Sequence, residues 1–374
     1  MGLVDALGAA GLALSLAHFA FPLAYYAYLK ARWLGRPWGL RLDPGYRPRV
    51  TVVVPTYMER GLIEGKLENV YEQDYPRELL EVLVVDGASG DGTAEAAREW
   101  AGRHGDLRVE VVVEPARRGK APALNEALRR ARGEVVVVTD ADSLWPRSAL
   151  SEAVKWLSDE RVAAVSCLKL PGGGTVPGVE EAYRGFYNTV RLAESKAWST
   201  PVFHGELAAF KRGFLEEIGG FPTDVGADDS YTAVAAALAG LRAITPDGLA
   251  CVEYVPGRGY AAWRTRRAQH LVQSFAKALR RLRGSRAPGR FKAVLLAEAY
   301  LHLVNPWLLL SAAALLAASA AAGMVLPAAA LALGALLLLY KPYRAWVATQ
   351  AFLVIAMVRN LWTKELVWRK QGKS

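Results

Sequence analysis

The chain has 374 residues, a net charge of +10 and two cysteines, Cys167 and Cys251. That length holds one α/β domain of ordinary size plus membrane segments, and the clustering of the apolar residues suggests a soluble part flanked by spans. The cysteines form no CxxC pair, which weighs against a zinc site or a disulfide framework and fits a reduced, cytoplasmic setting.

Residues 2–29 read GLVDALGAAGLALSLAHFAFPLAYYAYL, long enough to span a bilayer core of ~30 Å. Tyr25, Tyr26 and Tyr28 cluster at one end, as an aromatic belt does. The basic linker at 30–49 carries Lys30, Arg32, Arg36, Arg41, Arg47 and Arg49, and the positive-inside rule makes that flank cytoplasmic.

At residue 50 the pattern changes to α/β. VTVVVP (50–55) is a β-branched run of the kind buried on both faces of a sheet. Further strands are expected at 81–86, 108–114 and 134–142, with helices at 59–72, 93–103 and 121–132 between them. Strands alternating with helices predict a mixed, mostly parallel sheet flanked by helices, whose ligands sit at the carboxyl ends of the strands. Pro55, Thr56 and Glu59 fall there, as do Asp86, Asp140 and Asp142.

Several of these residue types point to phosphate chemistry. Asp140 and Asp142 in TDADS are two carboxylates one residue apart, a pair that repels unless a cation lies between them. Oxygen ligands beside phosphates suit Mn²⁺ or Mg²⁺. Asp86 precedes a glycine-containing turn and is expected to touch a nucleotide. Lys120 follows Gly119, yet Glu114 and Ala121 break the P-loop pattern, leaving a diphosphate contact at a helix start. Asp228 and Asp229 lead into an apolar helix and read either as dipole partners or as holding a general base. Near 261–273, Trp263 stands beside Arg264, Arg266 and Arg267, and arginine pairs bidentately with phosphate.

Beyond the α/β domain, which is placed at 50–270, residues 271–300 put apolar side chains on one helical face and arginines on the other, as interfacial helices do. Two spans follow within 301–341. Segment 342–374 is expected to be an interfacial helix with a basic tail that includes Arg359, Lys364, Arg369 and Lys370.

In order, PTYMER, VVDGASGDGT, GKAPALN, TDAD, HGELAAFKR, GADDS and WRTRRAQH resemble a family 2 glycosyltransferase of the GT-A fold, of the cellulose-synthase-like membrane kind. The resemblance covers roughly residues 50–275. It implies that Pro55, Thr56, Glu59 and Asp86 hold the nucleoside of a GDP- or UDP-sugar and that Lys120 faces its diphosphate. It also implies that Asp140 approaches the ribose or metal, that Asp142 chelates a divalent cation, and that Asp229, supported by Asp228, is the catalytic base. His204, Glu206, Trp263, Arg266, Arg267, Gln269 and His270 would meet the acceptor or a phosphate. Trp263 and Arg267 depart from the family's QxxRW element, and HGEL replaces the acceptor-rim motif of cellulose synthases, which weighs against chain elongation. The expected function is transfer of a hexose, with mannose from GDP-mannose preferred, to a lipid-linked acceptor at the cytoplasmic face. A processive synthase and a non-catalytic nucleotide-binding membrane protein are the alternatives. No nucleic-acid recognition module accompanies the charge.

Overall fold

The computed structural model describes residues 2–172, 178–256 and 259–367; Arg369 and Lys370 of the expected basic tail lie outside them. Helix α1 (Leu3–Leu29) continues through a π-helical turn, Lys30–Leu34. Strands β1 (Val50–Thr56), β2 (Leu80–Asp86), β3 (Arg108–Val113) and β4 (Val135–Val138) then alternate with α2 (Arg60–Tyr71), α3 (Thr93–Arg103) and α4 (Lys120–Arg130). After α5 (Ala149–Leu157) come β5 (Val162–Ser166), β6 (Leu168–Gly172), α6 (Gly178–Ala197), β7 (Ala208–Lys211) and α7 (Arg212–Glu217). The α/β part ends with α8 (Asp228–Leu238), β8 (Arg242–Ile244), β9 (Ala250–Tyr254) and α9 (Tyr260–Leu282). Four helices follow: α10 (Gly289–Leu303), α11 (Asn305–Ala321), α12 (Val325–Leu337) and α13 (Lys341–Arg359).

Seven strands form one sheet in the order β3-β2-β1-β4-β7-β5-β8. All pairings are parallel except those of β7, which runs antiparallel to β4 and β5. This is the mixed, mostly parallel sheet that the alternating pattern predicts. Alternation along each strand explains the layers. Val52, Val54, Val82, Val84 and Val137 pack beneath Ile63, Leu67, Ala97, Trp100 and Leu150. Val53, Leu83, Val85, Val136 and Val138 pack on Leu124, Ala127, Phe210, Leu215 and Ala233. Strand order turns back between β1 and β4, so a crevice opens at their carboxyl ends.

The fourth strand is shorter than expected and ends at Val138. Asp140 N–H donates to the Gly205 carbonyl at 3.1 Å, and Ser143 N–H returns to the Asp140 carbonyl at 3.3 Å. The backbone therefore leaves the ladder in a tight turn. Asp140 and Asp142 are presented by that turn and not by strand alternation.

Among the described residues two helices are long and apolar enough to cross a membrane, Leu3–Leu34 and Gly289–Ala321, or three spans if the bent pair Val325–Leu337 and Lys341–Arg359 counts as one. The first two pack antiparallel. A Cβ on Gly11 would lie 2.9 Å from Leu316, so glycine permits the close approach. At the other end the Arg290 guanidinium lies 5.1 Å from the Trp33 ring. The stretch 271–300, read as interfacial from sequence, divides between the end of α9 and α10. Phe275, Ala278, Phe291 and Leu295 bury one another there, so the apolar face is covered by protein. In 324–340 only the 13 residues of α12 are helical, about 20 Å at 1.5 Å per residue. The chain then bends by 106° into α13. Leu353 and Ala356 of α13 pack on Ala268 and Val272 of α9, so this segment rests on the α/β domain. A buried ion network fastens α6 to α10: Arg191 lies 3.0 Å from both Glu194 and Glu298.

Candidate active site

A cleft of about 300 Å³ opens at the carboxyl ends of β1 and β4 and extends between α6, α9 and α13. Pro55, Thr56, Glu59, Lys120, Asp140, Asp142, Asp228 and Asp229 line it. So do His204, Glu206, Trp263, Arg266, Arg267 and His270. Asp86 and Gln269 are the expected site residues that do not.

The acids and Lys120 converge around Gly205. A Cβ built there would sit 2.7 Å from Lys120 Nζ and 3.4 Å from an oxygen of each of Asp140 and Asp229. Any side chain at 205 would fill the space between them. Lys120 reaches this point because Gly119, at φ +107°, starts α4 in a conformation that disfavours other residues. Its ammonium donates to Asp140 Oδ1 at 2.7 Å. Burial opposes the lysine's charge, but Asp140, Asp228 and Asp229 more than offset it and hold its pKa above the ordinary lysine value.

Asp228 and Asp229 stand in the first turn of α8, where the helix dipole favours negative charge. Asp229 Oδ1 accepts the Ser230 N–H at 2.7 Å. Burial, and then the neighbouring Asp228, push the Asp229 carboxyl up to about 7, against the pull of Lys120. Burial also raises Asp228, whose Oδ2 has no hydrogen-bond partner among the described residues. Asp229 thus presents a carboxylate that exchanges its proton near neutrality, a property suited to a base.

Asp86 lies on the floor of the site, fully buried. Its Oδ1 accepts from Thr56 Oγ1 at 3.0 Å and Ser89 Oγ at 2.6 Å, and its Oδ2 accepts the Ser89 N–H at 2.8 Å. The aspartate shapes the wall formed by Thr56 and Gly87; it does not itself line the cleft.

Deeper in the cleft, Glu206 belongs to a charge network that spacing did not reveal. Lys169 Nζ, fully buried on β6, lies 2.7 Å from Glu206 and 2.9 Å from Glu253 on β9. Arg184 and Arg267 also pair with Glu253. Burial penalises the Glu253 charge, but Arg184, Arg267 and Lys169 hold its pKa well below the usual carboxylate range. Arg267 also lies 4.6 Å from the Trp263 ring. Burial lowers the His204 pKa, with Lys169 and Arg184 adding to the effect, so its imidazole is neutral. Lys169, Arg184 and Glu253 lie on separate elements with no shared motif. Parallel pairing of β6 with β9 brings two of them together, and sequence periodicity carries no signal for it.

Residues 360–367 fold back over the cleft. Gln269 donates to the Thr363 carbonyl. Gln273 donates to the Lys364 carbonyl at 2.8 Å, and His270 Nε2 lies 3.3 Å from the Glu365 carbonyl. Burial, then Arg266, lower the His270 pKa to about 4. The same His270 ring occupies the place a side chain on Gly226 would need, 2.1 Å from its Cβ position. Leu366 and Val367 close over Gly119 and join the cleft lining. Gln269 and His270, expected to touch acceptor or phosphate, therefore grip this segment's backbone. Arg266, which lines the cleft, has its pKa lowered to about 10 by burial and by Arg267.

Residues 51–219 match the family model described as glycosyl transferase family 2. Glycosyltransferase AglE of Haloferax volcanii is 30% identical over 190 residues, covering 50% of this chain and 60% of that protein. The UDP-forming cellulose synthase catalytic subunit of Pseudomonas fluorescens is 28% identical over 236 residues, 58% of this chain and 30% of that protein. The chain therefore spans less than two thirds of the length of these curated relatives. Among solved structures, the mannosyltransferase PcManGT from Pyrobaculum calidifontis, in complex with GDP-Man and Mn²⁺, superposes with a TM-score of 0.89. It is 61% identical, over 96% of this chain and 100% of that one. With this fold, this cleft and these relatives, the chain belongs to glycosyltransferase family 2 and has the GT-A fold.

Proposed function

We propose that the protein is a membrane-bound, metal-dependent mannosyltransferase that moves mannose from GDP-mannose to the hydroxyl of a lipid-linked acceptor, with inversion at the anomeric carbon. The observation that carries this reading is the convergence of Lys120, Asp140 and Asp229 on the space beside Gly205. The 61% identical neighbour bound to GDP-Man and Mn²⁺ supports the choice of donor. Two candidate spans and the clustering of Arg32, Arg36 and Arg290 about Trp33 at one end of them support a membrane setting with the cleft on the cytoplasmic side.

The donor set fits a hard divalent cation. Among the described residues no group of three His, Cys, Asp or Glu side chains could hold a metal by itself. Asp142 on its turn, with Asp140 beside it, offers oxygen ligands and leaves positions for the donor's phosphates, the usual arrangement for Mg²⁺ and related ions. When bound, the cation neutralises the diphosphate and the charge that grows on it as it leaves.

Thr56 and Gly87 wall the nucleoside pocket, and Lys120 faces the diphosphate from the start of α4. Asp229 takes the proton of the acceptor hydroxyl as its oxygen bonds to C1 of mannose. The C1–O bond to GDP breaks on the opposite face, and GDP departs with the bonding electrons. One displacement converts an α-linked donor into a β-linked product. Asp140 is paired with Lys120 and Glu206 with Lys169, which supports Asp229 as the group that works on the acceptor hydroxyl. The test is a screen of GDP- and UDP-sugars with membrane lipid extract, with and without Mn²⁺, reading nucleotide release and the anomeric configuration of the glycolipid. Mn²⁺-dependent GDP release with a β-linked product is expected. Release from UDP-sugars alone, or an α-linked product, overturns the reading.

A further inference from the structure

Lys66, on the inward face of α2, is among the most deeply buried side chains of the protein, 1% exposed, and the chemistry above makes no use of it. A buried ammonium is tolerated only where its N–H groups are met. Two go to Ser143, the carbonyl oxygen at 3.0 Å and Oγ at 3.2 Å. The face of the Trp145 ring, 4.0 Å away, receives the remaining one. Both partners belong to the turn that carries Asp140 and Asp142.

Ser143 is the residue that closes this turn. Its N–H and its Oγ both reach the Asp140 carbonyl, at 3.3 Å and 2.9 Å, and its Oγ lies 2.9 Å from Thr139 Oγ1. One helical turn further along α2, Asn69 clamps Trp145, accepting its N–H and donating to its carbonyl at 2.9 Å each. Trp145 Nε1 in turn donates to the Glu206 carbonyl at 2.6 Å, tying the turn to the segment that contains Gly205. Burial lowers the Lys66 pKa to about 7, and charged or neutral its amine does what an apolar side chain could not: it donates to two oxygens of one residue. When protonated it also sets a positive charge behind two carboxylates without occupying the cleft in front of them.

We propose that Lys66 is a positioning residue for the divalent cation, pinning the Asp140–Ser143 turn from behind so that the Asp142 carboxylate already faces the cleft when the metal arrives. This rests on the reading of Asp142 as a metal ligand. Lys66 touches neither donor nor metal, and its effect passes through Ser143.

The test measures Mn²⁺ binding to the full-length protein in the presence of GDP, by electron paramagnetic resonance titration, for wild type, Lys66→Met and Ser143→Ala. Loss of a group that orients a metal ligand costs about 10–100-fold in metal affinity. Lys66→Met is expected to weaken Mn²⁺ at least about tenfold, and Ser143→Ala to weaken it in the same direction by less. Turnover at saturating Mn²⁺ should stay near wild type while the Mn²⁺ concentration for half-maximal rate rises. If Lys66→Met does not accumulate as folded protein, Ser143→Ala decides. Mn²⁺ affinities within twofold of wild type, or turnover that falls without a change in metal dependence, overturn the positioning role. A wild type that binds no Mn²⁺ with GDP present overturns instead the metal reading on which it rests.

Discussion

Two neighbouring parts of one cleft use the same residue types to opposite ends. Beside β1 and β4, the carboxylates of Asp140, Asp228 and Asp229 gather around Lys120, Asp142 lines the same cleft, and Arg266 faces Asp140 and Asp142. Between β6 and β9, Lys169, Arg184 and Arg267 enclose Glu206 and Glu253. Acid exceeds base in the first group: burial, and then the neighbouring Asp228, push Asp229 up to about 7. In the second group three cations hold Glu253 far below its ordinary value, while burial raises Glu206 in spite of Lys169. A surplus of buried carboxylate is a place prepared for a cation and a proton. A closed ion network is a brace. Burial of charge is common to both groups; what differs is the balance of acid and base around each carboxylate.

The sharpest way to break this comparison is to exchange the outcomes. Asp229→Asn should lower turnover by about 10³-fold, within the range for loss of a general base, while the folded protein still binds GDP and Mn²⁺. Steady-state rates beside binding titrations check this, and near-normal turnover would remove Asp229 from the chemistry. Glu253→Gln should act on the fold. Breaking a buried pair costs about 3–5 kcal/mol, so a lowered Tm is expected, with Mn²⁺ dependence unchanged in the protein that remains folded. A Glu253 variant as stable as wild type would erase the distinction between the two groups.

A pH series separates them further. Asp229 must be ionised to accept a proton, so turnover should rise about tenfold per pH unit below pH 7 and level above it. The same shift has the opposite sign for stability. An unfolded aspartate titrates near ~3.9, whereas folded Asp229 keeps its proton up to about 7. The resulting stabilisation is complete below the unfolded value and is lost as pH rises through 7. Asp229→Asn should therefore unfold at a higher temperature than wild type at pH 8 and show a smaller difference at pH 5. The smallest expected effect belongs to the segment over Gly119. Deleting residues 361–374 removes Leu366 and Val367 from the wall but leaves Asp140, Asp142, Asp228 and Asp229 in place, so KM for the donor should rise several-fold with a lesser change in kcat. A truncated protein with unchanged KM would show that the segment only covers the cleft.

Much of this was legible in the sequence because buried parallel strands write themselves as β-branched runs. VTVVVP, EVLVVD and EVVVVTDAD placed β1, β2 and β4, and acids following such runs placed the crevice. What periodicity could not give was anything made by long-range return. Glu253 meets Lys169 across 84 residues, and Gln269 meets Thr363 across 94. Lys66, in a stretch that reads as a polar surface helix, is buried because the turn after β4 folds over it. The stretch 271–300 has the pattern of a membrane-surface helix, and only the packing of Phe275 on Phe291 shows that its apolar face is used internally.

The wall supplied by Leu366 and Val367 has a consequence for timing. These residues follow both candidate spans in the chain, so during synthesis the acids, Lys120 and the sheet leave the ribosome long before the enclosure does. A nascent chain thus holds the reacting groups in an open trough and gains the wall of Leu366 and Val367 only after Gly289–Ala321 has been made.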